Sequence, residues 1–391
     1  QVCVDPAEPA FKCTCPSRKF PCKHALGLLL FAATQPDVVP VGEPPVWLSE
    51  WLAKREQTAR RKAARAGADS DLDPEQQAKR AAAKDKRVAE RQRKVEIGLE
   101  ELERWLRDLV RQGLAHAQQQ SARYWDGMAE RLWDAQARGL ANWLRELASI
   151  PASGEGWGER LLAQLGSLYL LLEGHRRLDI LPEPLRADIR SRIGWSWQEA
   201  DLPADAWLRD RWLLVGQRGY EEEQMRVRRS WFWSRHHDRL ALVLDFAHQS
   251  QPMPPMAAPG SWLEAELGFF PSEYPQRALL RHAVAIEDQE MPTGLADGAA
   301  LLDRYAAALA RQPWLAVLPA AVAEALPVRR ESDTWFLRDA AAKLLPCHPG
   351  FIDTWRLLAC SGGSPLTVFG EWNGQQFWPL SSWRDGQLTA F

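Results

Sequence analysis

The 391-residue chain has little of what a membrane protein, a disulfide scaffold or a polyanion binder needs. No apolar run approaches the roughly 18–20 residues of a membrane span. The longest, Ala25–Ala33, falls far short and reads as a finger helix packing on its own core. Six cysteines form no disulfide framework, which fits a reducing, cytoplasmic setting. A net charge of −2 gives no global pull towards nucleic acid or lipid. Catalytic signatures are missing too: there is no Gly-x-Ser-x-Gly and no certifiable carboxylate pair. Gly362-Gly363 follows no strand that opens a phosphate-binding helix, so it reads as a turn. The expected class is therefore not an enzyme.

What is abundant is tryptophan, 20 in all. Each is expected mainly as a core or inter-helix filler, because its large ring dominates burial.

One stretch, Phe11 to Leu30, concentrates chemistry. Cys13, Cys15, Cys22 and His24 fall within twelve residues. Three thiolates and an imidazole are the closed tetrahedral set of structural zinc. In extended backbone, residues i and i+2 share a face, which sets Cys13 beside Cys15. Pro16 to Pro21 supplies turn chemistry that brings the chain back. Cys22 and His24 would lie roughly 200° apart on a regular helix at about 3.6 residues per turn. They can share a metal only if the helix starts at Cys22, and Pro21 suits that start. A Cys13–Cys15 disulfide would close a strained ring, and unliganded thiols so close together would be an oxidation liability. Three thiolates on a dication leave one negative charge, which Lys12, Arg18, Lys19 and Lys23 are placed to screen.

The pattern Cys-x-Cys, six residues, Cys-x-His and an apolar helix resembles the SWIM-type zinc finger, and PAFKCTCPSRKFPCKHALGLLL resembles the bacterial SWIM-finger proteins. The resemblance implies that Cys13, Cys15, Cys22 and His24 bind zinc, which holds the fold, and that the partner is DNA or protein. Members carry further β structure before the first cysteine. This chain opens at Gln1 without an initiator Met, so an N-terminal truncation of the finger (residues 1–34) is expected.

Residues 35–94 read as a linker followed by a basic helical segment. From Lys54 to Lys94 there are fourteen Lys or Arg against seven Asp or Glu, an excess of seven positive charges. Such a helix can lie along phosphates and gain from counterion release, or it can be an exposed, soluble helix. It lacks the aromatic interleaving of a single-strand stacking surface. Gly67 to Pro74 breaks the segment, and Glu75 to about Gln118 is predicted as one long helix. Its second half carries the stripe Val95, Leu99, Leu102, Leu106, Leu109, Val110 and Leu114. A second helix is predicted over Ser121–Ser149, a third over Trp157–Leu172, and shorter helices between Pro184 and Leu214. Residues 95–215 are thus expected to form a helical bundle.

Residues 216–391 change character, and a mainly antiparallel α+β domain is predicted. Glu221–Trp233 and Leu240–Phe246 read as a hairpin around Ser234-Arg-His-His-Asp. Trp262–Phe270 and Thr334–Arg338 read as strands, and Ala296–Arg311 as a helix. Leu366–Trp372 and Gln376–Leu380 are joined by Asn373-Gly374, the signal of a type I′ turn. His236-His237 reads as a solvated turn, Cys347-His348 with Cys360 as thiols lacking a fourth metal ligand, and Glu221–Glu223 as a solvated acidic run. The whole is expected to be an α+β, zinc-binding interaction protein. Its expected partner is a protein, with DNA as the alternative through the basic segment, and an enzyme site in the C-terminal domain is the weakest reading.

Overall fold

The computed structural model describes residues 1–5, 10–17, 21–35, 38, 42–68, 74–222, 225–249, 251–330 and 334–391, with side chains at all of these except 10, 58–68, 74–78, 80, 81 and 84. Arg18, Lys19, Glu223, much of the break before Pro74 and several basic side chains between Lys54 and Lys94 lie outside the described residues. The chain divides into two compact units. One is Gln1–Glu90 with Ala247–Met253, and the other is Arg91–Phe246 with Pro254–Phe391.

In the first unit, β1 (Val2–Asp5) pairs antiparallel with β2 (Ala10–Cys13). Helix α1 (Lys23–Thr34) follows, then α2 (Val46–Ala68) and the start of α3 (Pro74–Gln112). Arg55 on α2 meets Asp5 on β1 at 2.8 Å. Two cations also sit over α2 rings: Lys12 Nζ is 5.7 Å from Trp47, and the Arg55 guanidinium is 5.2 Å from Trp51. Against expectation, α1 does not bury its apolar residues in a core. Only Ala25 is buried, while Leu26, Leu30 and Phe31 are exposed. Eight apolar residues in a helix of twelve leave no polar face, so most of that surface cannot turn inward on so small a hairpin.

The second unit starts with helices. The stripe Val95, Leu99, Leu102, Leu106 and Leu109 is buried as its spacing predicts, whereas Val110 is exposed. Two predicted helices are each broken. Gly113, at φ +86°, separates α3 from α4 (Leu114–Gln119). The 121–149 segment becomes α5 (Ala122–Asp134) and α6 (Arg138–Leu147), parted where Gln136 takes φ +62°. Both breaks rest on a positive φ, which single residues adopt without a proline to mark them. Helices α7 (Trp157–Arg176) and α8 (Glu183–Ile193) complete the bundle. Trp125, Leu132, Leu140, Leu144 and Leu168 are wholly enclosed in it.

The rest is α+β, as predicted, but built as a barrel packed on a sheet. Strands β3 (Trp207–Glu222), β4 (Met225–Ser234), β5 (Arg239–His248), β6 (Trp262–Phe269) and β7 (Arg277–Ile286) close in the order β3-β4-β5-β7-β6. Residues 207–214 are thus strand and not helix. Trp212 and Leu214 face the barrel interior, whereas Leu213 and Val215 join the layer outside it. A strand buried on both faces reads as an unbroken apolar run, and periodicity cannot separate that from a buried helix. Helix α9 (Gly298–Arg311) leads into β8 (Leu318–Arg329), β9 (Trp335–Arg338) and β10 (Leu344–Pro346). Helix α10 (Thr354–Ser361) precedes β11 (Leu366–Trp372), β12 (Phe377–Arg384) and β13 (Gln387–Ala390). These six strands form one antiparallel sheet, β10-β9-β8-β11-β12-β13.

Trp231, Trp233 and Trp262 of the barrel pack with Phe369, Leu380 and Trp383 of the sheet. Burying a ring of this size is worth about 4–6 kcal/mol before conformational entropy is subtracted. Glu371, nearly inaccessible in that layer, accepts from Arg229 Nε and Trp231 Nε1, each at 2.8 Å, and lies 3.2 Å from Arg218 Nη2. The Asn373-Gly374 hairpin is present, but only Gly374 has positive φ. Trp372 pairs with Phe377, leaving a four-residue loop in which Asn373 Oδ1 accepts from the Gln375 and Gln376 amides. The asparagine side chain therefore caps the loop in place of a type I′ turn.

Candidate metal centre

The finger's geometry follows from its two elements. Strand β2 ends at Cys13, and the chain continues through Thr14, whose amide donates to Gln1 O at 2.9 Å. Cys22 is the N-cap of α1, with extended backbone (φ −75°, ψ 164°), and its carbonyl accepts the Leu26 amide at 3.1 Å. The condition for Cys22 and His24 to share a metal is met, because Cys22 has left the helical region while His24 stands in the first turn. No side chain caps the helix, so the Cys22 sulfur is free to point at its neighbours.

The ligand atoms of Cys13, Cys15, Cys22 and His24 all lie within 4.8 Å of one another, and Cys13 Sγ is 4.0 Å from His24 Nδ1. A tetrahedron with Zn–S about 2.3 Å and Zn–N about 2.0 Å has edges of about 3.5–3.8 Å. The four donors therefore need only a small contraction around an ion. Electrostatics are uneven across the set. The Ala25 backbone N–H, with help from the neighbouring sulfurs and the His24 amide, pulls the Cys22 thiol down to about 6. At Cys13 the Cys15 amide also pulls down, but burial and the Cys15 and Cys22 sulfurs outweigh it and the thiol is raised. One site is thus ready to lose its proton and another resists, as expected when three sulfurs compete for negative charge without a cation. A dication removes that competition. Lys23 is exposed beside the set, while Lys12 is turned to Trp47.

Residues 12–33 match the family model of the SWIM zinc finger. This segment is a SWIM zinc finger. Residues 90–193 match a second model, the SWIM-associated four-helix bundle domain, which covers α3 from its middle through α8. The two matches fall on the donor cluster and on the helical bundle. Comparison with curated proteins and with solved structures finds no match. The donor set and the SWIM match together make zinc the cofactor.

The other sequence candidates separate from this centre. Cys347 is buried and its thiol is pushed up to about 12 by desolvation. His348 Nδ1 accepts the Gly350 amide at 3.0 Å, and the ring lies 4.5 Å from that of Trp378. Gly362 and Gly363 take φ +54° and +80° and close the C-terminus of α10. His236 and His237 do stand in the β4–β5 turn, but they are not merely solvated. Both donate through Nδ1 to the buried Asp210, which also takes the Ser234 hydroxyl. Burial alone would raise the Asp210 carboxyl. The Ser234, His237 and His236 donors and the Arg211 amide outweigh it and hold the group well below the ordinary carboxylate range. Asp210 lay in a segment read as helix, so its approach to the histidines was hidden.

Proposed function

We propose that Cys13, Cys15, Cys22 and His24 hold a structural zinc, and that the finger acts as a docking module without catalysis. Four protein donors fill a tetrahedral ion, leaving no position for water or substrate. The observation that carries the docking reading is α1 itself. Zinc anchors its first turn, and Leu26, Leu30 and Phe31 remain exposed along it. An amphipathic or apolar helix groove on a protein partner would bury these residues. Among the described residues no helix is long and apolar enough to cross a membrane, and the few unpaired cysteines favour a reducing cytoplasm.

The test is to purify the intact chain with its bound partner and compare a Leu30→Glu, Phe31→Ser variant. A retained metal content with loss of the co-purifying protein supports the reading. Equal recovery by both proteins would reject it. The DNA reading rests on the basic segment, whose described cations Lys86, Arg87 and Arg93 are exposed on α3. A duplex titration across salt separates the two. A steep negative salt slope that falls on neutralising these three residues would favour DNA.

A further inference from the structure

Around most of the barrel, arginines are neutralised in place. Arg209 pairs with Glu264, Arg211 and Arg235 with Asp288, Arg228 with Asp245, and Arg281 with Glu266. The end at which β5 and β7 begin is different. Two adjoining cavities open there, of about 220 and 380 Å³, sharing Tyr274 and Gln276 as a common wall. Arg229 and Arg277 line the smaller, and Arg239, Arg304 and Arg311 the larger.

Of these five, only Arg229 has a carboxylate partner among the described residues, and that partner, Glu371, is shared with Arg218. Three of the others rest on rings: Arg239 is 3.6 Å from the Phe269 centroid, Arg277 5.3 Å from Phe270 and Arg311 5.8 Å from Tyr274, while Arg304 is exposed on α9. The two carboxylates in the cavities are already engaged. Asp188 accepts the Glu273 amide at 2.9 Å and Gln312 Nε2 at 2.8 Å, and Asp238 accepts Trp233 Nε1 at 2.8 Å. Loss of hydration lowers the pKa of Arg239 and of Arg277, the latter further because Arg229 stands near it. Cations crowded together with their hydration reduced are costly without a counter-charge. The fold therefore leaves an excess of guanidinium groups lining two half-open cavities.

The shape of that excess selects a ligand. Guanidinium forks match phosphate oxygens bidentately. Beside them, the smaller cavity is walled by aromatics, with the Trp197 and Phe270 rings 6.5 Å apart and 31° from parallel. The volumes suit a ligand of metabolite size. We propose that the paired cavities bind a nucleotide, with its phosphates on Arg239, Arg304 and Arg311 and its base against Tyr274 and Phe270. Tyr274, which borders both spaces, sits where base and phosphates join.

The test is calorimetric titration of the intact zinc-loaded chain with ATP, with pyrophosphate and with a ten-residue thymidine oligonucleotide. ATP is expected to bind one per chain. Arg304→Gln and Arg311→Gln, both on the exposed side of α9, should each weaken it about tenfold, the loss of one charged hydrogen-bond set. Tyr274→Ala should weaken ATP about fivefold or more through lost stacking, yet leave pyrophosphate nearly unchanged. Arg209→Gln, whose guanidinium is already held by Glu264, should match the parent protein. No heat with ATP, unchanged affinity in both α9 variants, or pyrophosphate binding as tightly as ATP would each overturn the proposal. So would an oligonucleotide that binds more tightly than ATP, because the site would then read a strand and not a free nucleotide.

Discussion

Cys13 Sγ stands 4.0 Å from His24 Nδ1, although one residue ends a strand and the other lies in the first turn of a helix. That separation is too long for a strong hydrogen bond and close to one edge of a zinc tetrahedron. Strand and helix are thus arranged around a point between them. Cys22, the N-cap of α1, is one of the four donors, so metal binding and helix initiation share a residue.

Removing the metal should therefore melt α1. Forming a first helical turn is unfavourable by a factor of roughly 10³, and a 12-residue helix is marginal in water. Chelation, or Cys22→Ala, should lower far-ultraviolet ellipticity by the contribution of residues 23–34 while the barrel transition stays intact. Elemental analysis should give one zinc per chain beforehand. An unchanged spectrum after complete metal removal would refute this.

Acid should release the same metal. Cys13 and Cys15 must lose protons to ligate, so affinity falls with every thiolate that is reprotonated. Metal-free Cys22 is already lowered to about 6, chiefly by the Ala25 amide. Zinc retention followed by a fluorescent chelator should decline as pH drops below neutrality, in more than a single-proton fashion.

Glu371 holds the barrel to the sheet through Arg229, Arg218 and Trp231 Nε1. Glu371→Ala leaves two guanidinium groups and an indole N–H without their acceptor. A loss of about 3–5 kcal/mol is expected, as for a broken buried pair. Denaturant unfolding of the variant measures it, and a cost below about 1 kcal/mol, the value of an exposed pair, would contradict the assignment.

Asp210 predicts a pH dependence with a definite sign. Its folded-state pKa is depressed, so its stabilisation is present above the ordinary unfolded value of about 3.9 and is lost as pH falls below it. Asp210→Asn should cost about 1–3 kcal/mol at neutral pH. The gap between variant and parent in thermal scans should narrow towards pH 3. A gap that widens on acidification would be inconsistent with the depressed carboxyl.

Gly139 predicts a steric effect. A Cβ there would lie 2.3 Å from Arg192 O, because the start of α6 abuts the end of α8 backbone to backbone. Gly139→Ala should destabilise by about 1–3 kcal/mol through overpacking. A calorimetric midpoint equal to that of the parent would show that the helices can separate at no cost.

The donor set was legible in the sequence because its logic is local: i, i+2 spacings, a proline before a helix start, and soft ligands at short range. The stripe on α3 was legible for the same reason. The breaks at Gly113 and Gln136 were not, since each depends on one positive φ and the flanking periodicity continues across it. Strand β3 was misread because residues 212–215 are buried on both faces. Barrel closure and the arginine-lined cavities lay beyond reach. The cavities assemble Asp188 of α8, Arg239 of β5, Arg277 of β7 and Arg311 of α9, and only the folded chain brings these distant segments together.

The pairing of β5 with β7 is short. The two strands meet in parallel at two residue pairs, Leu242 with Arg277 and Val243 with Ala278, whereas β3 and β4 are matched along ten. A cylinder parts more readily along a short run of rungs than along a long one, so amide exchange with deuterium should be faster at this line than along the β3–β4 seam. Leu242 and Arg277 border the smaller cavity itself. Anything bound there would span the seam, and its presence would register as slowed exchange in those few amides before it altered any other property of the fold.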